Sequence, residues 1–175
     1  MTEIREAVRV TTRSDVQATD WDLLYRLHAG GILRYCRRLA KSSEAAEELM
    51  QETFARAIRA GRVPEGADDS RRWLYRIATN ATIDRLRRER LLRFVPFIGR
   101  EQAAESDPGE ADLVRTALRS LAPEQATALV LRLHEGFAPS EIAAMLGISE
   151  ASVKSRLVRG RRRFMEEYER MGGRL

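Results

Sequence analysis

From Trp21 to the end of the chain, apolar residues recur three and four positions apart, and no segment alternates with a period of two. Side chains at those spacings stack on one face of an α-helix, so the expected fold is all-α. A first helix is predicted over Trp21–Leu39, with Leu24, Leu27, Ile32, Tyr35, Cys36 and Leu39 turned inward and the Gly30-Gly31 pair weakening or bending its middle. Ser42 or Ser43 can cap a second helix, AAEELMQETFARAIRA, that ends near Gly61. Its inner positions are Leu49, Phe54 and Ile58. A third helix begins at Arg71, after the loop RVPEGADDS, and runs to Arg93 with Trp73, Leu74, Ile77, Ala78, Ala81 and Leu86 on its apolar side.

The pattern breaks over residues 94–111, FVPFIGREQAAESDPGEA. Two prolines, two glycines and four acids (Glu101, Glu105, Asp107, Glu110) interrupt any apolar stripe, which reads as a flexible linker. Two small helical domains are therefore expected, residues 1–93 and 112–175. The second contains helical patterns over Asp112–Ser120, Pro123–Glu135 and from Pro139 onward. Pro123 and Pro139 stand where helices begin, and Gly136 and Gly147 where they end.

Composition narrows the class. The 175 residues carry 31 Lys+Arg against 26 Asp+Glu, a formal charge of +5 that favours an anionic partner without choosing one. Cys36 is the only cysteine, which excludes an intrachain disulfide and a multi-cysteine zinc site and suits a reducing cytoplasm. The opening MTEIREAVRVTTRSD has no apolar run of signal-peptide length, and no stretch reaches the ~20 apolar residues of a membrane span. A soluble cytoplasmic protein with no membrane contact of its own is expected.

The distribution of charge says more than its sum. In PSEIAAMLGISEASVKSRLVRGRRRF, Ala143 is the small residue where two helices would touch, Gly147 suits the turn, and Ile148 and Val153 would lock the second helix onto the first. Ser149 is a good N-cap for that second helix. From Glu150 to Arg163 six basic residues face one acid, so this helix-turn-helix suits a major groove flanked by phosphates. The third helix is also basic, with eight arginines against Asp84 and Glu89. Arg72, Arg76, Asn80 and Arg87 fall along one of its faces. Trp73 reads as a core anchor or a stacking ring. Between these basic helices in charge, if not in order, stands the second helix: residues 43–55 hold four acids and no base, and Glu48, Gln51, Glu52 and Ala55 share an exposed stripe. That stripe is a solvated face or a dock for a basic partner.

AEELMQETFARAIRA followed by RRWLYRIATNATIDRLRRERL resembles region 2 of bacterial sigma factors. SLAPEQATALVLRLHEGFAPSEIAAMLGISEASVKSRLVRGRRR resembles region 4. With only a short linker between them, the chain resembles the compact extracytoplasmic-function group. The resemblance implies a promoter-specificity subunit that binds core RNA polymerase. Glu48, Leu49, Gln51, Glu52 and Phe54 then match the motif that docks on the clamp helices of the largest polymerase subunit. The loop from Arg62 to Ser70 and the helix carrying Arg72, Trp73, Arg76, Asn80 and Arg87 match the elements that open the −10 element and capture a flipped base. Ser149, Lys154, Ser155, Arg156, Val158, Arg159 and Arg162 match the helix that reads the −35 duplex. Many family members carry aromatic residues in the loop before the tryptophan, where this chain has DDSRRW. The resemblance also implies an anti-sigma factor as a partner and requires no cofactor or metal.

Two other classes compete. A stand-alone dimeric helix-turn-helix regulator would account for residues 112–175 but leaves the acidic stripe and the Arg76/Asn80 helix without a task. An enzyme would need a reactive constellation, and His28 and His134 have no neighbouring nucleophile or metal-ligand spacing.

Overall fold

The computed structural model describes residues 21–93 and 109–174. Among them are seven helices and no strand: α1 (Trp21–Leu39), α2 (Ser43–Ala60), α3 (Ala67–Arg93), α4 (Glu110–Ser120), α5 (Pro123–Leu133), α6 (Pro139–Leu146) and α7 (Glu150–Arg170). The expected flexible linker lies almost wholly outside the described residues.

Local chemistry sets most of the helix ends. Ser42 caps α2 by accepting the Ala45 amide at 3.2 Å, and Gly61 closes it in the left-handed region at φ 68°. Ser149 accepts the Ser152 amide at 3.2 Å to start α7, and Gly147, at φ 64°, makes the turn after α6. Glu141 begins α6 from within, its carboxylate accepting the Ala138 amide at 2.8 Å.

Several expectations need correction. α3 starts at Ala67 rather than Arg71, because Asp68 and Asp69 suit the positive end of a helix and the Ser70 hydroxyl donates to the Ala67 carbonyl at 2.9 Å. The loop before it is correspondingly shorter, and Ser70 is buried. The glycine pair does not interrupt α1. A Cβ on Gly31 would stand 3.1 Å from the Tyr75 hydroxyl, so the missing side chain admits Tyr75 from α3. Leu27 and Ile58, expected inside, are 67% and 54% exposed.

Helices α1, α2 and α3 pack together, as do α4 to α7, and the two groups then close on each other through α3 with α5 and α6 and through α1 with α4 and α5. One apolar cluster runs through both, from Ile32, Tyr35 and Leu74 to Leu131, Phe137 and Ile142. At the crossing, Tyr75 meets Tyr35 edge-on at 5.6 Å and Phe137 at 5.2 Å, a ladder of rings through α1, α3 and the α5–α6 turn. Tyr35 anchors its inner end by a 2.9 Å hydrogen bond with Thr79. α7 lies close on α5: a Cβ on Gly160 would come within 3.2 Å of Gln125 and Leu129.

Candidate nucleic-acid interface

Three charged surfaces were expected, and the structure treats them differently. On α2, Glu48 and Gln51 are exposed and Glu52 is half-buried. Glu48 accepts from Arg85 of α3 at 2.7 Å, while Glu52 takes Arg56 at 2.6 Å and Arg59 at 3.3 Å. The hydrogen bond from Arg56 holds the Glu52 carboxyl below the ordinary glutamate range, so Glu52 stays ionised within its arginine pairs. Leu49 and Phe54 do not belong to it. They are buried in the chain's own core, with Phe54 against Tyr25 at 4.8 Å, because their positions fall on the opposite side of the helix. Exposed Ile58 falls instead on the same arc as Gln51 and Ala55, adding an apolar contact point that the expected inward assignment had hidden.

On α3, Arg72, Arg76, Asn80 and Arg87 do share one face, and that face borders the C-terminal half. Arg76 and Asn80 are exposed. Arg72 reaches Glu141 of α6 at 3.2 Å as well as Asp69 of its own helix, and Arg87 donates from Nε to Glu124 of α5 at 2.9 Å. Trp73 is half-buried and packs on the core. Arg71, which stands where an aromatic was expected by resemblance, spends its guanidinium across the seam. It donates to the Glu135 carbonyl at 2.8 Å and lies over the Phe137 ring at 4.2 Å. The Tyr75 hydroxyl donates to the Glu135 carboxylate, and burial, reinforced by that bond, pushes its pKa up, so it remains a donor.

The carboxylates that pair with α3 are both held ionised. Burial works against ionisation of Glu124, but its own backbone amide at the start of α5, then Arg87 and Arg156, hold its pKa below the ordinary value. The Ala138 amide does the same for Glu141, with Arg72 adding to it. Sequence reasoning missed both residues because each also looks like an ordinary first-turn acid.

On α7 the predicted stripe is open. Lys154, Ser155, Val158, Arg159 and Arg162 fall within less than half the helix circumference and are exposed, Val158 at 71%. Their partners are local: Lys154 pairs with Glu150 at 2.8 Å and Arg162 approaches Glu166 at 3.7 Å. Ser149 sits at the tip as the N-cap. An exposed aliphatic between cations suits a thymine methyl, which no phosphate contact requires. Arg156 departs from the group. It is half-buried on the side facing α5, where its charge acts on Glu124.

Among the described residues no cluster of three or more His, Cys, Asp or Glu side chains is arranged to hold a metal, and no helix is long and apolar enough to cross a membrane. Cys36 is buried, which pushes its thiol up to about 12.

Two family models match the chain in order: Sigma-70 region 2 over residues 24–91 and Sigma-70, region 4 over residues 111–164. The ECF RNA polymerase sigma factor SigE of Mycolicibacterium smegmatis is 35% identical over 91% of this chain, which spans 66% of that protein. SigL of Mycobacterium tuberculosis, also an ECF RNA polymerase sigma factor, is 32% identical over 85% of this chain and 89% of its own length. Among solved structures, CnrH in complex with the cytosolic domain of CnrY superposes with a TM-score of 0.60 at 25% identity, covering 83% of this chain and 85% of that one. The sigma factor RpoE, in complex with the anti-sigma factor NepR from Bartonella quintana, shares the fold with a TM-score of 0.65 at 24% identity, covering 86% and 97%.

Proposed function

The chain belongs to the extracytoplasmic-function sigma factors of the sigma-70 family, promoter-specificity subunits of bacterial RNA polymerase, and on that premise we propose how its surfaces divide the work. The exposed part of the α2 stripe, Glu48, Gln51 and Glu52 with Ile58 beside them, docks on the clamp helices of the largest polymerase subunit. The open face of α7 reads the −35 element as duplex, with Lys154, Arg159 and Arg162 on phosphates or base edges and Val158 on a methyl group. The α3 face reads the −10 element. Flipping a base costs on the order of a few kcal/mol, and Asn80, as both donor and acceptor, with Arg76 beside it, can return part of that through hydrogen bonds to the base edge.

The chain binds and positions; it performs no covalent step, needs no cofactor, and works in the cytoplasm where polymerase is. Residues 1–93 and 112–175 act as the two DNA-reading domains, joined through the segment between them. In the closed arrangement Arg72 and Arg87 are occupied by Glu141 and Glu124. Engaging the −10 strand therefore exchanges those carboxylates for phosphates, and the halves part when core polymerase and promoter DNA bind. An anti-sigma factor that prefers the closed form would hold the −10 reader shut.

The observation that carries this reading is the separation, within one chain, of an anionic face on α2 from basic faces on α3 and α7. Purified chain and core polymerase on a promoter fragment give specific transcription only together. Gln51→Ala with Glu52→Arg lowers core association while leaving the helical circular dichroism unchanged. Unaltered pull-down of core by that variant contradicts the docking face. Tight sequence-specific binding by the isolated chain favours a stand-alone regulator instead.

A further inference from the structure

A cleft of about 520 Å³ lies between the last turns of α1 and the helices α4 and α5, with walls from both halves of the chain. Arg34, Arg37 and Arg38 line one side, Arg115 of α4 stands opposite, and Val114 and Leu118 form an apolar floor. Four guanidinium groups thus face a single lining carboxylate, Glu110, which accepts a 3.4 Å bond from Tyr168. Arg37 has Glu47 at 3.7 Å and Arg115 has Asp112 at 3.1 Å, both outside the lining. Among the described residues Arg34 and Arg38 have no carboxylate partner, and the buried Nε of Arg38 has no hydrogen-bond acceptor. The negative end of α1 explains basic residues in its last turn. It does not explain why Arg34, one turn earlier, and Arg115 from the other half converge on the same space, since like charges at this spacing repel. Guanidinium groups that converge on one space without matching carboxylates make an arrangement that an anion completes.

We propose that this cleft binds a small phosphate-rich anion, a nucleoside polyphosphate, with its phosphates on Arg34, Arg38 and Arg115 and its planar body on Val114 and Leu118. The volume falls within the roughly 300 to 1,000 Å³ of small-molecule sites, and guanidinium forks match phosphate geometry in a bidentate manner. None of the surfaces assigned to polymerase or promoter includes these residues. Because the walls come from both halves, the bound anion favours the closed form and links a metabolite level to promoter access.

Calorimetric titration of the full chain with ATP, GTP and inorganic tripolyphosphate, at physiological salt and without magnesium, tests this. At least one nucleotide binds saturably at one site per chain, and tripolyphosphate binds at least tenfold more weakly because it has nothing to place on Val114 and Leu118. Arg34→Ala with Arg38→Gln weakens nucleotide binding tenfold or more with the circular dichroism unchanged. Arg26→Ala, an exposed arginine of the same helix outside the cleft, leaves it intact. Equal affinity for tripolyphosphate overturns the nucleoside assignment. Absence of saturable binding by all three, or binding that Arg34→Ala with Arg38→Gln leaves unchanged, overturns the site.

Discussion

Helices α3 and α7 are both long and arginine-rich, yet one is tied into the seam between the two halves and the other leaves its basic arc open. On α3, Arg72 and Arg87 are engaged by carboxylates that arrive from α6 and α5. On α7, Lys154 and Arg162 have only exposed neighbours from their own helix, pairs that solvent and salt weaken. The contrast follows from what each helix has on its other face. α3 carries Tyr75 into an aromatic contact with Phe137 of the C-terminal half, so burying that ring brings the neighbouring arginines against acids. α7 packs inward on α5 through the close approach at Gly160 and leaves its basic arc outside. The apolar face behind each basic helix therefore decides whether its arginines meet acids of the same chain or solvent.

The largest expected effect comes from removing that apolar contact. Phe137 is 2% exposed, and Phe137→Ala should cost about 3 to 5 kcal/mol in urea unfolding, with the loss concentrated where the halves meet. The variant should bind a −10 single strand more readily than the parent while the helices of each half persist. If stability falls and the −10 strand gains nothing, Phe137 is a core residue of the C-terminal half alone.

Next in size is the open helix. Arg159→Ala should reduce −35-dependent initiation by about 1 to 3 kcal/mol, measured by competition between promoters with intact and altered −35 elements, and leave single-strand −10 binding untouched. Arg156→Ala should have the smaller effect on −35 readout, since its side chain faces Glu124; a larger loss than Arg159→Ala would reverse the orientation of the helix on DNA.

The helix ends and the open face of α7 are legible along the chain because they are local. Ser42, Gly61, Gly147 and Ser149 mark helix ends through bonds to residues three or four away, and the α7 stripe needs only helical periodicity. The seam is not legible in the same way. Glu124 and Glu141 look like first-turn acids, and nothing in one-dimensional spacing says that each also meets an arginine in the other half. Ile58 illustrates the converse: apolar spacing places it inward with Leu49 and Phe54, yet it is exposed beside Gln51 while those two are buried. Arg71, within the DDSRRW segment, covers the Phe137 ring, a contact that sequence spacing alone does not reveal.

A smaller effect is expected from the charged edge of the seam. Partly exposed ion pairs contribute about 0.2 to 1 kcal/mol each, so Glu124→Gln with Glu141→Gln should raise −10 single-strand affinity a few-fold and leave −35 duplex binding unchanged. A double-mutant cycle between Glu124 and Arg87 should return a coupling of that size. Zero coupling would assign the masking to Phe137 and Tyr75 alone.

Smallest is the dependence on pH. Glu124 and Glu141 have pKa values held below the ordinary glutamate value, so their contribution to closure is fully present above that value. It is lost as the pH falls through their depressed values, when protonation removes the charge that Arg87 and Arg72 face. Closure monitored by small-angle scattering should therefore be unchanged between neutral pH and about pH 5 and weaken only below the ordinary glutamate value near 4.3. Opening between about pH 6.5 and pH 5 would point to His134 or His28, whose pKa values burial lowers so that protonation opposes the folded state there, rather than to these acids.

The central claim is that Arg72 and Arg87, which flank the exposed Arg76 and Asn80, are held by carboxylates of the C-terminal half in the free chain and released on polymerase. It is tested most directly by the distance between two spin labels at Arg88→Cys on α3 and Leu133→Cys on α5, measured with and without core polymerase. Both positions are exposed, and Cys36 is buried with its thiol pKa raised to about 12, so it stays unlabelled. The free chain should give one narrow distance, and addition of core with promoter DNA should replace it by a longer one. A distance unchanged in a complex competent for transcription would contradict the claim.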